Sequence, residues 1–300
     1  VIAEEILMYR DEPSSYVHAL MEQTHWDGHP LGRSIAGTLA SIESMTAEDF
    51  RSYRKSHYNA PSTVVTAAGN IRHEDVVEKV TFALKGLPHG KAPSAKPCPP
   101  PRKSPKVVTA ARDIQQTQLS LALPAISHRD ERRYAAHLLH VILGANASSR
   151  LFQEIREKRG LCYSVSTHQT TLNDGGYLGI SAGLDRRNLE KSLSLILAQF
   201  ENLRNKIIGI AELRRAKEYT IGSSRMALER TSTQNMRLGN SVLAHGKIVD
   251  PESVNEKIRN VTPDEILSLA KEILDPNRIT LAVVGPNPDE RMLNKLLGLK

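Results

Sequence analysis

The sequence predicts an α+β protein built from two homologous domains, each a mostly antiparallel sheet with helices packed on one face, the first domain being incomplete. Three observations carry this. Residues 42–69, IESMTAEDFRSYRKSHYNAPSTVVTAAG, and residues 258–285, IRNVTPDEILSLAKEILDPNRITLAVVG, align without a gap at an offset of 216 (258 − 42), which marks a duplicated unit. Identities at Ile42/Ile258, Thr46/Thr262, Ser52/Ser268, Lys55/Lys271 and Gly69/Gly285, with like-for-like changes at Glu48/Asp264, Phe50/Ile266, Tyr53/Leu269, Asn59/Asp275 and Val65/Leu281, preserve a helix face and then a strand pattern. Within the second copy, strand patterns come first and helical patterns follow, the order of an α+β layer structure. Between the copies lies PHGKAPSAKPCPPPRKSP at 88–105, where prolines fix φ and remove donors, so neither helix nor sheet propagates. Domains are therefore expected at 1–87, the carboxy-terminal part of the first copy, and at 107–300, the second copy, with a linker at 88–106. At the offset of 216 Val1 aligns with residue 217, so the 110 residues 107–216 of the second copy have no counterpart in the first, which is expected to lack its amino-terminal portion.

Element by element, residues 1–9 put Ile2, Ile6 and Tyr9 at helical spacing as an inward stripe, and Asp11-Glu12-Pro13 supplies a stop and a fresh start. A second helix is expected from about Pro13 to Gln23, a third over 46–55, and a buried strand over 63–68. Thr46 can accept from the free amides of the third helix's first turn, with Glu48 and Asp49 against the dipole; Thr262, Asp264 and Glu265 repeat the arrangement. After the linker, 106–111 and 116–123 read as paired strands, the latter alternating Leu119, Leu121, Leu123 with Gln118, Ser120, Ala122. Residues 132–143 form a strongly apolar helix, and 148–159 a second one that Gly160 stops. Strands follow at 162–168 and 176–184, the latter with small residues that permit close backbone approach. Long helices over 187–206 and 210–229 lead into the repeated unit.

Composition narrows the class. The chain has 300 residues, 40% of them hydrophobic, enough for two cores. No apolar run approaches the roughly 20 residues that span a bilayer, so no membrane span is expected. Any targeting segment would precede these residues, which leaves bacterial cytoplasm, periplasm and mitochondrial matrix all open. Cys98 and Cys162 make neither a disulfide framework nor a metal site and are expected as free thiols. The net charge of +7 is spread through helical patterns beside acidic residues, as in ELRRAKE at 212–218, so solvated faces are expected rather than a nucleic-acid surface.

Chemistry concentrates in SSRLFQEIREKRGLCYSV at 148–165. Arg156 lies near the end of a helix and Tyr163 three residues past its stop, so both can converge on one point. A guanidinium and a phenol are strong donors suited to a carbonyl or a developing oxyanion. The plain alternative is a helix-end arginine on the dipole and a strand tyrosine on the core.

This segment, with VIAEEILMYRDEP at 1–13, HWDGHPLGRSIAGT at 25–38 and YNAPSTVVTAAGNI at 58–71, resembles the M16 metallopeptidases, the family of pitrilysin, insulin-degrading enzyme and the mitochondrial processing peptidase, and most closely their short two-domain type. The resemblance covers essentially the whole chain. It implies LuxS/MPP-like domains and a zinc-dependent metalloendopeptidase, in which two His of an H-x-x-E-H helix and a later Glu bind Zn2+ and the motif's Glu activates water. The third ligand falls on Glu5, and the family's substrate-gripping Arg/Tyr pair falls on Arg156 and Tyr163. It also implies an extended or unfolded peptide or presequence as substrate, bound by strand addition to a sheet edge of the amino-terminal domain, and a homodimer or heterodimer with another M16 chain as partner.

For Glu5 the surface reading is a carboxylate favouring a helix start. It borders the stripe of Ile2 and Ile6 while Glu4 points away, and with the resemblance it is preferred as the ligand. No H-x-x-E-H occurs in these 300 residues. His137 and His140, spaced i, i+3 in an apolar helix, are expected to be core or half-exposed; His25 and His29 flank a turn and are expected to be structural. As printed, the chain is not expected to bind catalytic zinc tightly or to hydrolyse peptides alone. Three readings follow: a fragment of an active zinc peptidase; a non-catalytic member acting as substrate-gripping partner or structural subunit; and a basic scaffold for acidic partners.

Overall fold

The computed structural model describes residues 1–299. Helices α1 (Ile2–Asp11) and α2 (Pro13–His25) are separated by Glu12, whose side chain caps α2 by accepting from Ser14 N. After a short 3-10 turn at Pro30–Gly32 come α3 (Leu39–Ser44), α4 (Ala47–His57) and α5 (His73–Ala83). Residues 88–105 form neither helix nor strand. Beyond them run β1 (Lys106–Ala111), β2 (Thr117–Pro124), α6 (Arg133–Gly144), a π-helical turn (Phe152–Glu157), β3 (Cys162–Thr171) and β4 (Gly176–Leu184). Helices α7 (Leu189–Asn205), α8 (Ile210–Leu228), α9 (Thr231–His245), α10 (Pro251–Asn260) and α11 (Pro263–Ile273), then β5 (Thr280–Gly285) and α12 (Glu290–Leu296), complete the chain.

The five strands form one sheet in the order β1-β5-β2-β4-β3. The β5–β2, β2–β4 and β4–β3 pairs are antiparallel and only β1–β5 is parallel, so the sheet is mostly antiparallel. The expected pairing of 106–111 with 116–123 is corrected: β5 inserts between them, so these neighbours in sequence are two strands apart in the sheet. The five residues between β1 and β2 reach easily across two strand spacings of about 4.8 Å.

Side-chain alternation divides the sheet's faces. Leu119, Leu121, Leu123, Leu178, Ile180, Leu281 and Val283 are fully or nearly fully buried, on the face to which α6, α7 and α11 bring Leu138, Leu139, Phe200, Ile266 and Leu269. The other face carries smaller residues. There Ala122, Ala282, Val284 and Tyr177 receive Val17, Met21 and Trp26, which belong to α2 and the residue that ends it.

The chain divides into two compact units. One comprises 1–38, 97–220 and 257 onward; the other comprises 39–96 and 221–256. The first holds the sheet and every buried apolar side chain, whereas the second buries only Asn59, Ser241 and Asn255 among the described residues.

The two copies of the repeat share local structure and differ in burial. Thr46 and Asp49 form a capping box at α4, and Thr262 and Glu265 form the same box at α11, so the cap predicted from sequence is present twice. Yet Phe50 and Tyr53 are 62% and 59% exposed, whereas their equivalents Ile266 and Leu269 are fully buried. Residues 63–68 are neither buried nor a strand, which corrects that expectation: β5 is held between β1 and β2, and at the same offset 63–68 has no such neighbours among the described residues. The stripe of α1 is corrected too, since only Ile6 is buried and Ile2 and Tyr9 are about half exposed. The two cysteines are free.

Candidate functional site

The segment that carries Arg156 is not the plain α-helix that its sequence suggests. From Phe152 to Glu157 it is π-helical, with Lys158 N donating to Gln153 O at 3.0 Å. Such wide turns occur mostly as single insertions, frequently at functional sites. Gly160, at φ +59°, ends the turn in a conformation that side-chain-bearing residues avoid, and Leu161 N donates back to Ile155 O at 2.9 Å. Arg150 anchors the segment from behind. Its guanidinium meets both Glu212 carboxylate oxygens at 2.8 Å and Asn202 Oδ1 at 3.0 Å, a mostly buried fork-to-fork pairing.

Tyr163 sits on an irregularity of β3. Cys162 pairs with Leu184 and Ser164 with Gly183, so Tyr163 is the extra residue of a β-bulge. A bulge re-aims one side chain without breaking the ladder, and Tyr163 is 75% exposed. The Arg156 guanidinium carbon lies 4.8 Å from the Phe152 ring centre and 5.9 Å from that of Tyr163. Ring faces attract the cation, and no carboxylate pairs with Arg156 among the described residues. The structure thus brings two exposed donors together at the start of an edge strand. Phe152, Arg150 and the bulge were not assigned roles from sequence; Arg150 and Phe152 lie inside the motif, but the bulge leaves no mark in it.

Glu5 lies exposed on α1, its amide donating to Val1 O at 2.9 Å. No hydrogen bond, ion pair or ring contact joins it to Arg156 or Tyr163 among the described residues. Nor does any group of three or more His, Cys, Asp or Glu side chains suited to a metal occur among them. Zinc takes three or four protein ligands, and Glu5 alone is one, so the residues present do not make a zinc site.

The histidines are held structurally. His140 Nδ1 is 2.7 Å from Thr167 Oγ1, and His137 Nδ1 is 3.3 Å from Gln169 Oε1, tying α6 to β3. Burial lowers both pKa values, that of His140 to about 4. His25 Nδ1 is 3.1 Å from Thr280 Oγ1, and His29 caps the following turn by accepting from Leu31 N.

Comparison with known proteins gives this geometry its context. Residues 44–219, more than half of the chain, match the family model described as the peptidase M16 inactive domain. The chain belongs to the peptidase M16 family. Among its relatives, an uncharacterized zinc protease of Streptomyces coelicolor is 34% identical over 97% of this chain and 64% of its own length. An uncharacterized zinc protease of Rickettsia felis is 30% identical over 96% of the chain and 69% of its own length. The chain thus spans less than two thirds of the Streptomyces relative. A peptidase M16 inactive domain from Pseudomonas fluorescens has the same fold, with a TM-score of 0.87 at 22% identity over 96% of this chain and 68% of that one. A chain of complex III2 from Candida albicans superposes with a TM-score of 0.86 at 18% identity, over 99% and 73% of the two chains. No helix among the described residues is long and apolar enough to cross a membrane.

Proposed function

We propose that this chain is the substrate-gripping part of a zinc-dependent metalloendopeptidase acting on extended or unfolded peptides. The observation that carries the reading is the pairing of Arg156 with Tyr163, two exposed donors held by a π-helical turn and a β-bulge. The guanidinium and the phenol would donate to the scissile carbonyl oxygen and to the neighbouring peptide backbone. Donors set in place before reaction favour the oxyanion over the ground-state carbonyl. Glu5 is assigned as one zinc ligand, with the two histidines and the water-activating glutamate outside these 300 residues. Zinc would supply the Lewis acid that activates water; the residues described contribute binding and orientation of the substrate. Domain limits of 1–87 and 107–300 with a linker between belong to the same proposal.

The test uses the full-length protein that contains this sequence and an unstructured peptide. Arg156→Ala and Tyr163→Phe are each expected to lower kcat about 10²- to 10³-fold while KM changes little, the pattern of a lost oxyanion donor. Glu5→Gln is expected to lower the zinc content measured by metal analysis. Wild-type kcat in both donor variants would sink the assignment.

A second reading is supported by the family description of residues 44–219 as an inactive domain. In it, the chain is a non-catalytic M16 partner that presents Arg156 and Tyr163 to another chain's metal. Full-length protein that is silent alone but active when mixed with a catalytic M16 chain, with the same loss in Arg156→Ala, would favour it.

A further inference from the structure

Beneath α2 a continuous series of rings lies on the small-residue face of the sheet. His18 and His168 meet edge-on with centres 5.2 Å apart, His168 and Tyr177 at 5.7 Å, Tyr177 and His25 at 5.5 Å, and His25 and Trp26 at 4.5 Å. His18 bridges two strands, with Nδ1 3.3 Å from Ser120 Oγ on β2 and Nε2 3.1 Å from Ser181 Oγ on β4. The Tyr177 hydroxyl donates to Glu22 Oε1 at 2.6 Å. A Cβ at Gly179 would collide with the His168 ring, so the missing side chain is what admits that ring between strand and helix. Three imidazoles thus occupy positions where an ordinary helix–sheet seam would carry aliphatic side chains.

The charged groups around the seam compensate protonated rings only at His18. Glu22 faces His18 and partly offsets the effect of burial there, while also accepting from Tyr177. Arg102 faces His25 and adds positive charge. Asp27, past the end of α2, is taken by Arg102 at 3.3 Å and Lys106 at 3.0 Å. Arg112 stacks on Tyr16 at the flank of the helix, and His140, from α6, is a further ring that repels His168 when charged. Protonated His25 and His168 would be partly buried cations beside like charges, Arg102 and His18 respectively.

We propose that α1 and α2 form an acid-released element: protonation of His18, His25 and His168 frees them from the sheet while the sheet and its other helices stay folded. Burial lowers all three histidines, His25 and His168 to about 4. The docked state therefore binds fewer protons than the released one. Docking is complete above the ordinary histidine value near 6.5 and weakens as pH falls from there towards 4. Between pH 8 and pH 5 the docking equilibrium shifts by roughly 30-fold for each of His25 and His168. The opposite face of the sheet keeps its core of Leu121, Ile180, Leu281 and Phe200, which α2 does not touch. The proposal leaves Arg156 and Tyr163 in place, whereas α1 carries Glu5, so release would displace the carboxylate assigned to zinc.

Trp26, the only tryptophan, is 5% exposed and reports on the seam by itself. Its emission maximum should be followed from pH 8 to pH 4 beside far-ultraviolet circular dichroism on the same samples. The expected result is a red shift below pH 6 that precedes loss of the dichroism signal, with a midpoint moved to lower pH in His168→Phe, which keeps a ring and removes the proton site. His18→Asn should move it likewise and serves if the first variant does not fold. Emission that is constant to pH 4, or that moves only with global unfolding, or a midpoint unchanged in the folded variants, overturns the proposal.

Discussion

At the scale of single residues, the sharpest dependence falls on positions whose side chain is absent or forked. Gly179→Ala forces the His168 ring out of its place over the strand, and overpacking of this kind costs about 1–3 kcal/mol; urea titration at pH 7.5 measures it. Arg150 is the other case. Arg150→Ala leaves Glu212 without its bidentate partner in a mostly buried site, and charge-assisted bonds of this kind carry about 1.5–3 kcal/mol. Its second expected effect is on the turn that presents Arg156, so kcat in the full-length protein should fall although Arg150 is not a substrate-facing donor. Loss of stability with unchanged kcat would confine Arg150 to packing. Arg156 and Tyr163 were legible as chemistry because their types and spacing stand in one motif. The features that aim them, a π-helical turn and a one-residue bulge, depend on hydrogen-bond register and are not encoded in any residue type.

At the scale of elements, the repeat supplies its own control. Helices α4 and α11 have the same capping box and equivalent apolar positions, yet one is exposed and the other buried. Ile266→Ala is expected to cost about 2–5 kcal/mol as a core deletion, and Phe50→Ala less than about 0.5 kcal/mol, as for a surface change, in denaturation of this 300-residue chain. Equal costs would mean that the exposed face of α4 is covered in solution. Thr262→Ala should remove about 1 kcal/mol through its cap. Capping was readable from sequence because it is settled within four residues. The strand over 63–68 was not, since a strand exists only through its neighbours, and the same local pattern becomes β5 when β1 and β2 flank it.

At the scale of the whole molecule, stability is unevenly distributed. The unit of 39–96 and 221–256 buries no apolar side chain among the described residues, whereas the unit holding the sheet buries several dozen. Local opening follows burial, so amide exchange and limited proteolysis are expected to reach 39–96 well before β2, β4 or β5. Uniform protection would contradict this. Acid should weaken the sheet unit through α6 as well. His140 is lowered to about 4 by burial, so its contribution is present above pH 6.5 and is lost as pH falls towards 4, of the order of 3 kcal/mol at full protonation. His140→Gln, compared with wild type by urea denaturation at pH 7.5 and 5, should flatten that loss.

The sequence by itself determined the α+β class, the duplicated unit, the proline break, helices α1, α2, α4, α6, α7, α8 and α11, the caps and the family. Each is set by local patterns or by comparing the chain with itself. Tertiary structure alone decided the insertion of β5 between β1 and β2, the burial of one repeat and exposure of the other, the seating of α2 on the second sheet face, and the ring series beneath it. Those depend on contacts between residues as far as 255 positions apart, as His25 and Thr280 are, and no local propensity reaches across such a separation.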